Sequence, residues 1–389
     1  MRYVSVGDVP RKRHTLFREP GGSRLAEELM GEQGFTGASS LLYHRHSPSA
    51  LSGVEAVGHE PPAMQANQPL APWHLRVSKL GGGGDAVTGR TPLLASDTLT
   101  ISYFAAEADS DLFRDSRGDE LYFVQSGRGV LETVFGTLDI APGDYAVVPA
   151  STTHRWTVDR RDGPMQGLVL EAKGHIDLPA RYLTQRGQLR EGAPYSERDF
   201  RVPVGPLVVE GDEVDVLVAG RSGYSRHRHI SHPFDVLGWD GCLYPFAFSV
   251  HDFEPVVGRV HQPPPVHQTF EGPGFVVCSF VPRPYDFGEG AVKVPYHHAN
   301  VDSDEVLYYV SGDFMSRAGA GIEVGSLTLH PAGFVHGPQP GSVEASMAAQ
   351  HTDEIAVMVD TFGPLSLSEA ARSVADPMYV LSWAGRARG

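Results

Sequence analysis

Three side chains in the last quarter of the sequence, His298, Glu305 and His336, could together hold a transition metal. Imidazole nitrogen and carboxylate oxygen both bind Fe(II), and two histidines with one carboxylate on one side of the ion leave its other positions open. This ligand set is typical of non-heme Fe(II) oxygenases. The sequence therefore predicts one Fe(II) site at these residues. The competing interpretation is three unrelated polar residues in turns.

Short strands must position these side chains. Runs of β-branched and aromatic residues, such as Val306-Leu307-Tyr308-Tyr309-Val310, predict strands, and glycines and prolines mark the turns between them. Two spaced patterns carry the candidate ligands. They are His298-x-Asn300, four residues, Glu305, six residues, Gly312, and then Gly325, five residues, Pro331-x-Gly333-x-x-His336.

These two patterns resemble the two motifs of cupins, small β-barrels that carry a metal between their strands. A typical cupin has a second histidine where this chain has Asn300, and the difference leaves a triad. Longer segments resemble the homogentisate 1,2-dioxygenase family, most closely its shorter bacterial branch, over about residues 7 to 360. The segments that carry this resemblance are residues 234–241, 259–270, 300–305 and 336–338.

The resemblance implies an all-β bicupin, with two cupin-type barrels and a few short helices. It also implies an Fe(II)-dependent ring-cleaving dioxygenase that converts homogentisate and O2 to 4-maleylacetoacetate, a step of tyrosine and phenylalanine catabolism. The expected partners are a small aromatic substrate and O2. Because the family forms trimers and hexamers, a homo-oligomer is expected.

The resemblance further implies an acid–base histidine ahead of a rigid loop. The run Pro263-Pro264-Pro265 cannot lie in a central strand and holds its flanking residues still. His261 matches the family's position best, and His267, just beyond the prolines, is the alternative. A nearby histidine can take the phenol proton near neutral pH. A structural histidine in a stiff loop is the competing interpretation.

Two departures from the family bear on the substrate. In longer members a tyrosine nine residues after the glutamate ligand contacts the substrate, and here Phe314 has that place. The hydroxyl is lost unless Tyr308 or Tyr309 replaces it. One residue more also separates His298 from Glu305 than in the longer branch.

The metal pattern repeats in degenerate form. Glu120 precedes Gly127 by the same spacing as Glu305 precedes Gly312, and His154 follows a similar glycine–proline pattern. Phe113 stands where the second copy has His298, so the first copy is predicted to bind no metal. We therefore predict an N-terminal β domain at 1–175 with a degenerate cupin at about 103–171. A linker at 176–215 and a catalytic cupin with a C-terminal arm at 216–389 complete the predicted organisation.

Composition excludes several classes of partner. The chain has 32 basic and 47 acidic residues, a net charge of −15, which argues against nucleic acid and anionic membrane surfaces. It has no apolar run of transmembrane length and no signal-peptide core. Cys242 and Cys278 cannot form a disulfide framework, so a cytoplasmic protein is expected.

Three local interpretations stay open or await the structure. Ser23 is predicted to cap a helix at 24–30, and Ser366-x-x-Glu369 a helix that ends at Ser373. The histidine-rich segment 227–232 is either a polar loop, an approach to the site or a subunit surface.

Two other functions compete with the main hypothesis. One is a gentisate-like or other hydroxylated-aromatic dioxygenase, although the gentisate-type bicupin usually uses three histidines, and Glu305 argues against it. The other is a non-catalytic bicupin that binds a small molecule, against which the complete triad argues.

Overall fold

Strands dominate residues 3–58, 61–317 and 319–384, the part of the chain that the computed structural model describes. The expected all-β class is confirmed. None of the helices among these residues is long and apolar enough to cross a membrane. The strands are β1 (Val4–Gly7), β2 (Ala26–Gly31), β3 (Ser39–His44), β4 (Leu51–Val57), β5 (Met64–Ala66), β6 (Trp73–Arg76), β7 (Thr91–Ala95), β8 (Leu99–Ala106), β9 (Phe113–Asp115), β10 (Glu120–Ser126), β11 (Arg128–Thr133), β12 (Gly136–Ile140), β13 (Asp144–Val148), β14 (His154–Asp159), β15 (Met165–Ala172), β16 (Phe200–Arg201), β17 (Asp212–Gly220), β18 (Gly223–Ser231), β19 (Val236–Gly241), β20 (Phe246–Ser249), β21 (Gln268–Gly272), β22 (Phe275–Phe280), β23 (Arg283–Pro284), β24 (Asp304–Ser311), β25 (Ser326–His330), β26 (His351–Thr352), β27 (Ile355–Thr361) and β28 (Ser366–Ser368).

The helices are short and lie between the strands. The two α-helices are α1 (Ser342–Ser346) and α2 (Glu369–Ser373). Single turns of 3-10 helix are formed by Gln33–Phe35, Val77–Leu80, Arg160–Asp162, Ala180–Tyr182, Glu197–Asp199, Val250–Asp252, Pro264–His267, Met315–Arg317 and Tyr379–Ala384.

Three large sheets and two small ones organise the described residues. A nine-stranded sheet has the order β16-β20-β13-β10-β15-β8-β7-β28-β5, and a seven-stranded sheet the order β12-β11-β14-β9-β17-β18-β4. A six-stranded sheet, β21-β22-β27-β24-β25-β6, carries Glu305. The small sheets are β1-β19-β3-β2 and β23-β26.

The nine- and seven-stranded sheets enclose the core of the N-terminal barrel. Tyr122 of β10 and Trp156 of β14 are fully buried there, and their ring centroids lie 4.8 Å apart. Each such aromatic side chain removes a large apolar area from water, which is the main favourable contribution to folding.

A second apolar core joins the two barrels. Phe123 of β10 and Tyr308 of β24 belong to one buried cluster, and Tyr145 hydrogen-bonds Ser279 across it, with 2.9 Å between the two hydroxyl oxygens. Because side chains alternate along a strand, Tyr309 points to the opposite face of the six-stranded sheet, inside the second barrel. This sheet therefore separates the shared core from the candidate site.

The strand pairing of the first barrel recurs in the second. β10 pairs with β13 and β15, and β24 pairs in the same way with β25 and β27. His154 faces Phe113 across an antiparallel pair, as His336 faces His298. Thus the positions that the sequence aligns also correspond in the sheets.

Strand exchange crosses the predicted domain limits at 175 and 216. β20 and β28 pair with β13 and β7 of the nine-stranded sheet, while β6 pairs with β25 beside the candidate site. The predicted linker 176–215 contains β16, and it buries Tyr182 and Tyr195 in the shared core. Each barrel is thus completed by strands from elsewhere in the chain, and the 176–215 segment is more than a connection.

Two local predictions need correction. The predicted helix at 24–30 is wrong, because Ala26–Gly31 forms β2 and pairs with β3; sheet pairing outweighs a modest helix propensity. The helix that ends at Ser373 does form, but its cap is Ser368 rather than Ser366. The Ser368 hydroxyl accepts the Ala371 N–H at 3.1 Å.

The close pairing of β10 and β15 generates a test of packing. A Cβ atom added at Gly167 of β15 would lie 1.9 Å from the Phe123 carbonyl oxygen, so Gly167→Ala must push the strands apart. We expect a loss of about 1–3 kcal/mol or more in unfolding free energy, seen as a lower melting temperature. Gly53→Ala in the exposed strand β4 is the matched control, because nothing lies within 4 Å of its added Cβ. Equal melting temperatures for the two variants would contradict this packing.

Candidate metal centre

Two loops meet at the candidate site through a backbone bridge. The His298 N–H donates to the His336 carbonyl oxygen and the His336 N–H to that of His298, both at 2.9 Å. Glu305, the second residue of β24, is held between β25 and β27, opposite His330 and Asp360. The loops therefore bring two histidines over the carboxylate of a rigid central strand.

The structure brings the three predicted ligands together. The Nε2 atoms of His298 and His336 lie 3.5 and 3.1 Å from the Glu305 carboxylate oxygens. One ligand atom from each of the three residues lies within 4.8 Å of the other two. Glu305 and His336 are buried and His298 is partly exposed, so the group is open on one side only.

Hydrogen bonds select the nitrogen that each histidine presents. His298 Nδ1 lies 3.1 Å from the Tyr296 carbonyl oxygen, and His336 Nδ1 lies 3.0 Å from that of Phe334. A carbonyl oxygen only accepts, so each Nδ1 carries a proton and each ring turns its Nε2 towards Glu305. Two imidazole nitrogens and a carboxylate that converge in this way form a donor set that suits a divalent transition metal.

His330 is a site residue that the sequence reasoning missed. Its Nδ1 lies 2.9 Å from Glu305 Oε1, and its Nε2 lies 2.9 Å from the Tyr379 hydroxyl. Burial lowers the pKa of His330 to about 3, so the ring is neutral and can donate from Nδ1. The signal was present in the Leu-His-Pro sequence before Gly333, but Tyr379 lies 74 residues from Glu305 along the chain, and only folding joins them.

Glu305 stays ionised in this setting. Burial opposes the charge, but hydrogen bonds from His298, His330 and His336 hold the pKa of Glu305 well below its usual range. The neighbouring Asp360 behaves oppositely, because burial and the Glu305 charge raise its pKa to about 7. The carboxylate of Glu305 is therefore the one prepared to bind a metal.

A cavity of about 160 Å³ opens beside His298 and Glu305. A cavity of roughly 150 Å³ is enough to hold benzene, so this one suits a single substituted ring. Leu307, Tyr309 and Met358 supply part of its wall, together with Phe280. Many of the other lining residues are polar or charged, so the cavity combines an apolar wall with groups that could orient a small molecule.

Both predicted acid–base histidines line the cavity, in different environments. The His261 side chain is 38% exposed, with its Nδ1 3.5 Å from Asp286 Oδ2. Its ring packs edge-on against Tyr296, at 5.1 Å between centroids. His267 is buried against Phe280, with centroids 4.6 Å apart.

The two substitutions relative to the family have clear positions. Asn300 lines the cavity but is not among the three clustered ligands, and its Nδ2 donates to Asp360 Oδ1 at 3.0 Å. Phe314 is buried and packs against Tyr309, with ring centroids 5.0 Å apart. Of the two tyrosines suggested as replacements, Tyr309 lines the cavity, whereas Tyr308 faces the shared core and donates to Gln125.

In the N-terminal barrel an arginine occupies the corresponding place. Arg90 Nη1 lies 2.6 Å from Glu120 and 3.2 Å from Glu171, and the guanidinium sits 5.7 Å from the centre of the Phe113 ring. His154 remains beside Glu120, with 3.4 Å between Nε2 and Oε2. A fixed guanidinium thus supplies the positive charge there, a physical reason for the prediction that this barrel binds no metal.

Two further groups of acidic residues lie close together without resembling the triad. Asp115 and Glu171, near Glu120, are bound by Arg117. Asp119, which lies near Glu32 and His175, accepts backbone N–H groups from Ala150 and Ile176 and is structural. The histidine-rich segment 227–232 runs along β18, which pairs with β4 and lies outside the cavity.

The hydrogen bonds of His330 generate a prediction. His330→Phe removes the N–H that orients Glu305, and such outer-shell losses weaken metal binding about 10–100-fold. Tyr379→Phe removes only the hydroxyl behind His330, so its loss should be smaller. Metal affinity is measured by competition with a chelator, and the exposed His351→Phe is the control. Unchanged affinity in His330→Phe would show that Glu305 needs no such support.

Comparisons with known proteins identify relatives of this chain. A family model described as homogentisate 1,2-dioxygenase N-terminal matches residues 73–250, which end before the triad. A protein of Saccharolobus solfataricus described as a "putative dioxygenase" is 39% identical over 390 residues, which cover 98% of this chain and 98% of the relative. Homogentisate 1,2-dioxygenase of Emericella nidulans is 27% identical over 267 residues, or 64% of this chain and 57% of that enzyme.

Among solved structures, a cupin 2 conserved barrel domain protein from Leptotrichia buccalis is similar, with a TM-score of 0.36 and 10% identity. The match covers 74% of this chain and 95% of that protein. The match to the full-length relative and to the family model leads to one conclusion: this chain belongs to the homogentisate 1,2-dioxygenase family.

Proposed function

We propose that this protein is an Fe(II)-dependent dioxygenase that opens the ring of homogentisate with O2 to give 4-maleylacetoacetate. The observation that carries the proposal is the convergence of two imidazole nitrogens and one carboxylate beside a cavity of about 160 Å³. The names of the curated relatives, homogentisate 1,2-dioxygenases of fungal, bacterial and animal origin, support the same reaction.

His298, Glu305 and His336 would hold the metal through two nitrogens and one oxygen. A ferrous ion bound there would supply the redox chemistry that lets O2 react with an aromatic ring. The chain's own contribution begins with the orientation of these ligands. Backbone carbonyls hold the two imidazoles, and His330 holds Glu305 at 2.9 Å.

Apolar side chains keep water away from the reacting ring. Leu307, Met358 and Phe280 form part of the cavity wall, and Tyr309 lies among them. Burial of the ring between such groups orients it and strengthens every polar contact at its edge. Tyr309 also lines this wall, with its hydroxyl 3.4 Å from Thr328 Oγ1, and we infer that it replaces the tyrosine lost at Phe314.

His261 is the better candidate for the proton acceptor. Burial, with smaller contributions from Arg283 and from His261 itself, lowers the pKa of His267 to about 3, so that ring takes up protons poorly near neutral pH. His261 reaches solvent, and its Nδ1 lies 3.5 Å from Asp286 Oδ2. We infer that His261 removes the phenol proton and that His267 shapes the wall.

The metal assignment is tested by a matched pair of variants. Purified anaerobically and loaded with Fe(II), the wild type should hold one iron per chain and consume one O2 per homogentisate. His336→Ala should lose both iron and activity, because it removes one of three ligands. His154→Ala changes the corresponding histidine of the first barrel and should keep one iron per chain, with lower stability at most.

Elemental analysis and oxygen uptake give the two readouts. A full equivalent of iron in His336→Ala would move the metal site elsewhere. Two irons per wild-type chain, halved in His154→Ala, would mean that the first barrel also binds metal. Ring cleavage of another dihydroxylated aromatic acid, with homogentisate unreacted, would retain the dioxygenase and replace its substrate.

The proton acceptor is tested by two substitutions on either side of the prolines. His261→Gln should bind iron normally and lose about 10²–10⁴ in turnover, the usual contribution of a positioned proton-transfer group. The limb of the pH–rate profile that reports this acceptor should disappear with it. His267→Gln should retain the limb, because a ring with a pKa of about 3 does not titrate there. The opposite pattern would exchange the two roles.

A further inference from the structure

Arg283 stands out among the charged residues of the cavity. It lies on β23, lines the same cavity as Glu305 and is largely buried. Its Nη1 donates to the Val281 carbonyl oxygen at 3.1 Å, and its guanidinium lies 5.9 Å from the centre of the Phe280 ring. Among the residues that the structure describes, no carboxylate oxygen comes within the ion-pair distance of 4.0 Å.

The other cations of the cavity are already engaged. Arg317 Nη1 donates to the Gly337 carbonyl oxygen at 2.7 Å, and Lys293 Nζ donates to the Asp286 carbonyl oxygen at 2.5 Å. A guanidinium carries five N–H donors, and Arg283 directs one of them to a backbone carbonyl. Arg283 therefore keeps most of its donors free, and it is more exposed than Arg317, which is buried.

The acidic groups nearby do not take this role. Asp286 faces His261, with 3.5 Å between Oδ2 and Nδ1. Glu354 lies deeper, and burial raises its pKa, although Arg283 and Arg317 oppose this shift. Burial also lowers the pKa of Arg283, the sign of a cation with too little compensation. An anion that enters the cavity would supply the negative charge that Arg283 lacks.

We propose that Arg283 binds the carboxylate of the aromatic substrate and thereby makes the site select aromatic acids over neutral aromatic compounds. This inference rests on the proposed function, because it assigns a binding partner to each end of the substrate that the proposed reaction would cleave. The ring's reacting edge would face the ligands His298, Glu305 and His336, and its acidic arm would face Arg283. A guanidinium can hold a carboxylate through two parallel hydrogen bonds, which fixes orientation as well as charge.

The ring itself would lie between apolar groups. Phe280 contacts both Arg283 and His267, at 5.9 Å from the guanidinium and 4.6 Å between ring centroids. His267 is neutral and adds no charge that would compete for the acid. In a cavity of about 160 Å³, Arg283 would therefore contact the carboxylate of an aromatic acid, and the apolar wall beside it would contact the ring.

Binding of phenylacetate and of phenylacetamide distinguishes the effect of the ligand's charge from the effect of its shape. The two have the same ring and nearly the same size, and neither has the ring hydroxyls that cleavage requires. Calorimetry on the Fe(II)-loaded wild type under anaerobic conditions should give a dissociation constant roughly 10–100-fold lower for the acid than for the amide. Arg283→Met should bring this ratio close to one. Arg283→Lys should keep part of it, because an ammonium offers the charge without the planar fork.

Arg181→Met is the matched control. Its guanidinium also lies over an aromatic ring, 5.3 Å from the centre of Tyr182, but it does not line the cavity. It should keep the full preference for the acid. Melting curves of all variants verify folding, and the Arg283→Lys result carries the test if Arg283→Met is unstable.

Several outcomes would overturn the proposal. They are a wild type that binds neither probe or prefers neither, an Arg283→Met variant that keeps the preference, and an Arg283→Lys variant with the full wild-type ratio. A preference that vanishes on removal of the metal from the wild type but survives Arg283→Met would put the carboxylate on the metal instead. Oxygen uptake separates this inference from the reaction: an Arg283-dependent preference without cleavage of any dihydroxyphenyl acid would refute only the proposed function.

Discussion

Two backbone hydrogen bonds, both 2.9 Å long, join His298 to His336 and hold two otherwise irregular loops against each other. Neither loop belongs to a long strand at this point, so this bridge sets how far apart the two imidazoles lie. Glu305 comes from the opposite direction, on a strand with partners on both sides. The distances of 3.1 and 3.5 Å from the carboxylate to the two Nε2 atoms follow from that combination.

The six-stranded sheet connects the site to the rest of the fold. One of its faces packs in the core that both barrels share, and the other lines the cavity. Adjacent residues on β24 therefore have different tasks: Tyr308 contributes to stability and Tyr309 to the cavity. Because β6 and β28 bring distant parts of the chain into these sheets, the site depends on the whole chain rather than on its C-terminal half.

Each barrel surrounds a buried glutamate with compensating polar groups. In the first barrel Arg90 lies 2.6 Å from Glu120 and stacks near Phe113, where the second barrel has His298. In the second barrel the compensating groups are histidines, two of which could also hold a metal. A buried carboxylate without a partner would be costly, so the presence of Arg90 beside Glu120 accords with Phe113 in place of a histidine.

Much of this protein follows from its sequence. Several of its features are local patterns that can be interpreted from residue chemistry. They are the strand pattern, the spacing of glycines and prolines, the internal repeat and the three candidate ligands. Four features were decided only by the tertiary structure: the strand at Ala26–Gly31, the strand exchange between barrels, the contact of Tyr379 with His330, and the position of Arg283 without a carboxylate in contact. The physical reason is the same for all four. They depend on which distant segments lie side by side, and backbone pairing and burial over long sequence separations are not encoded in any short stretch of residues.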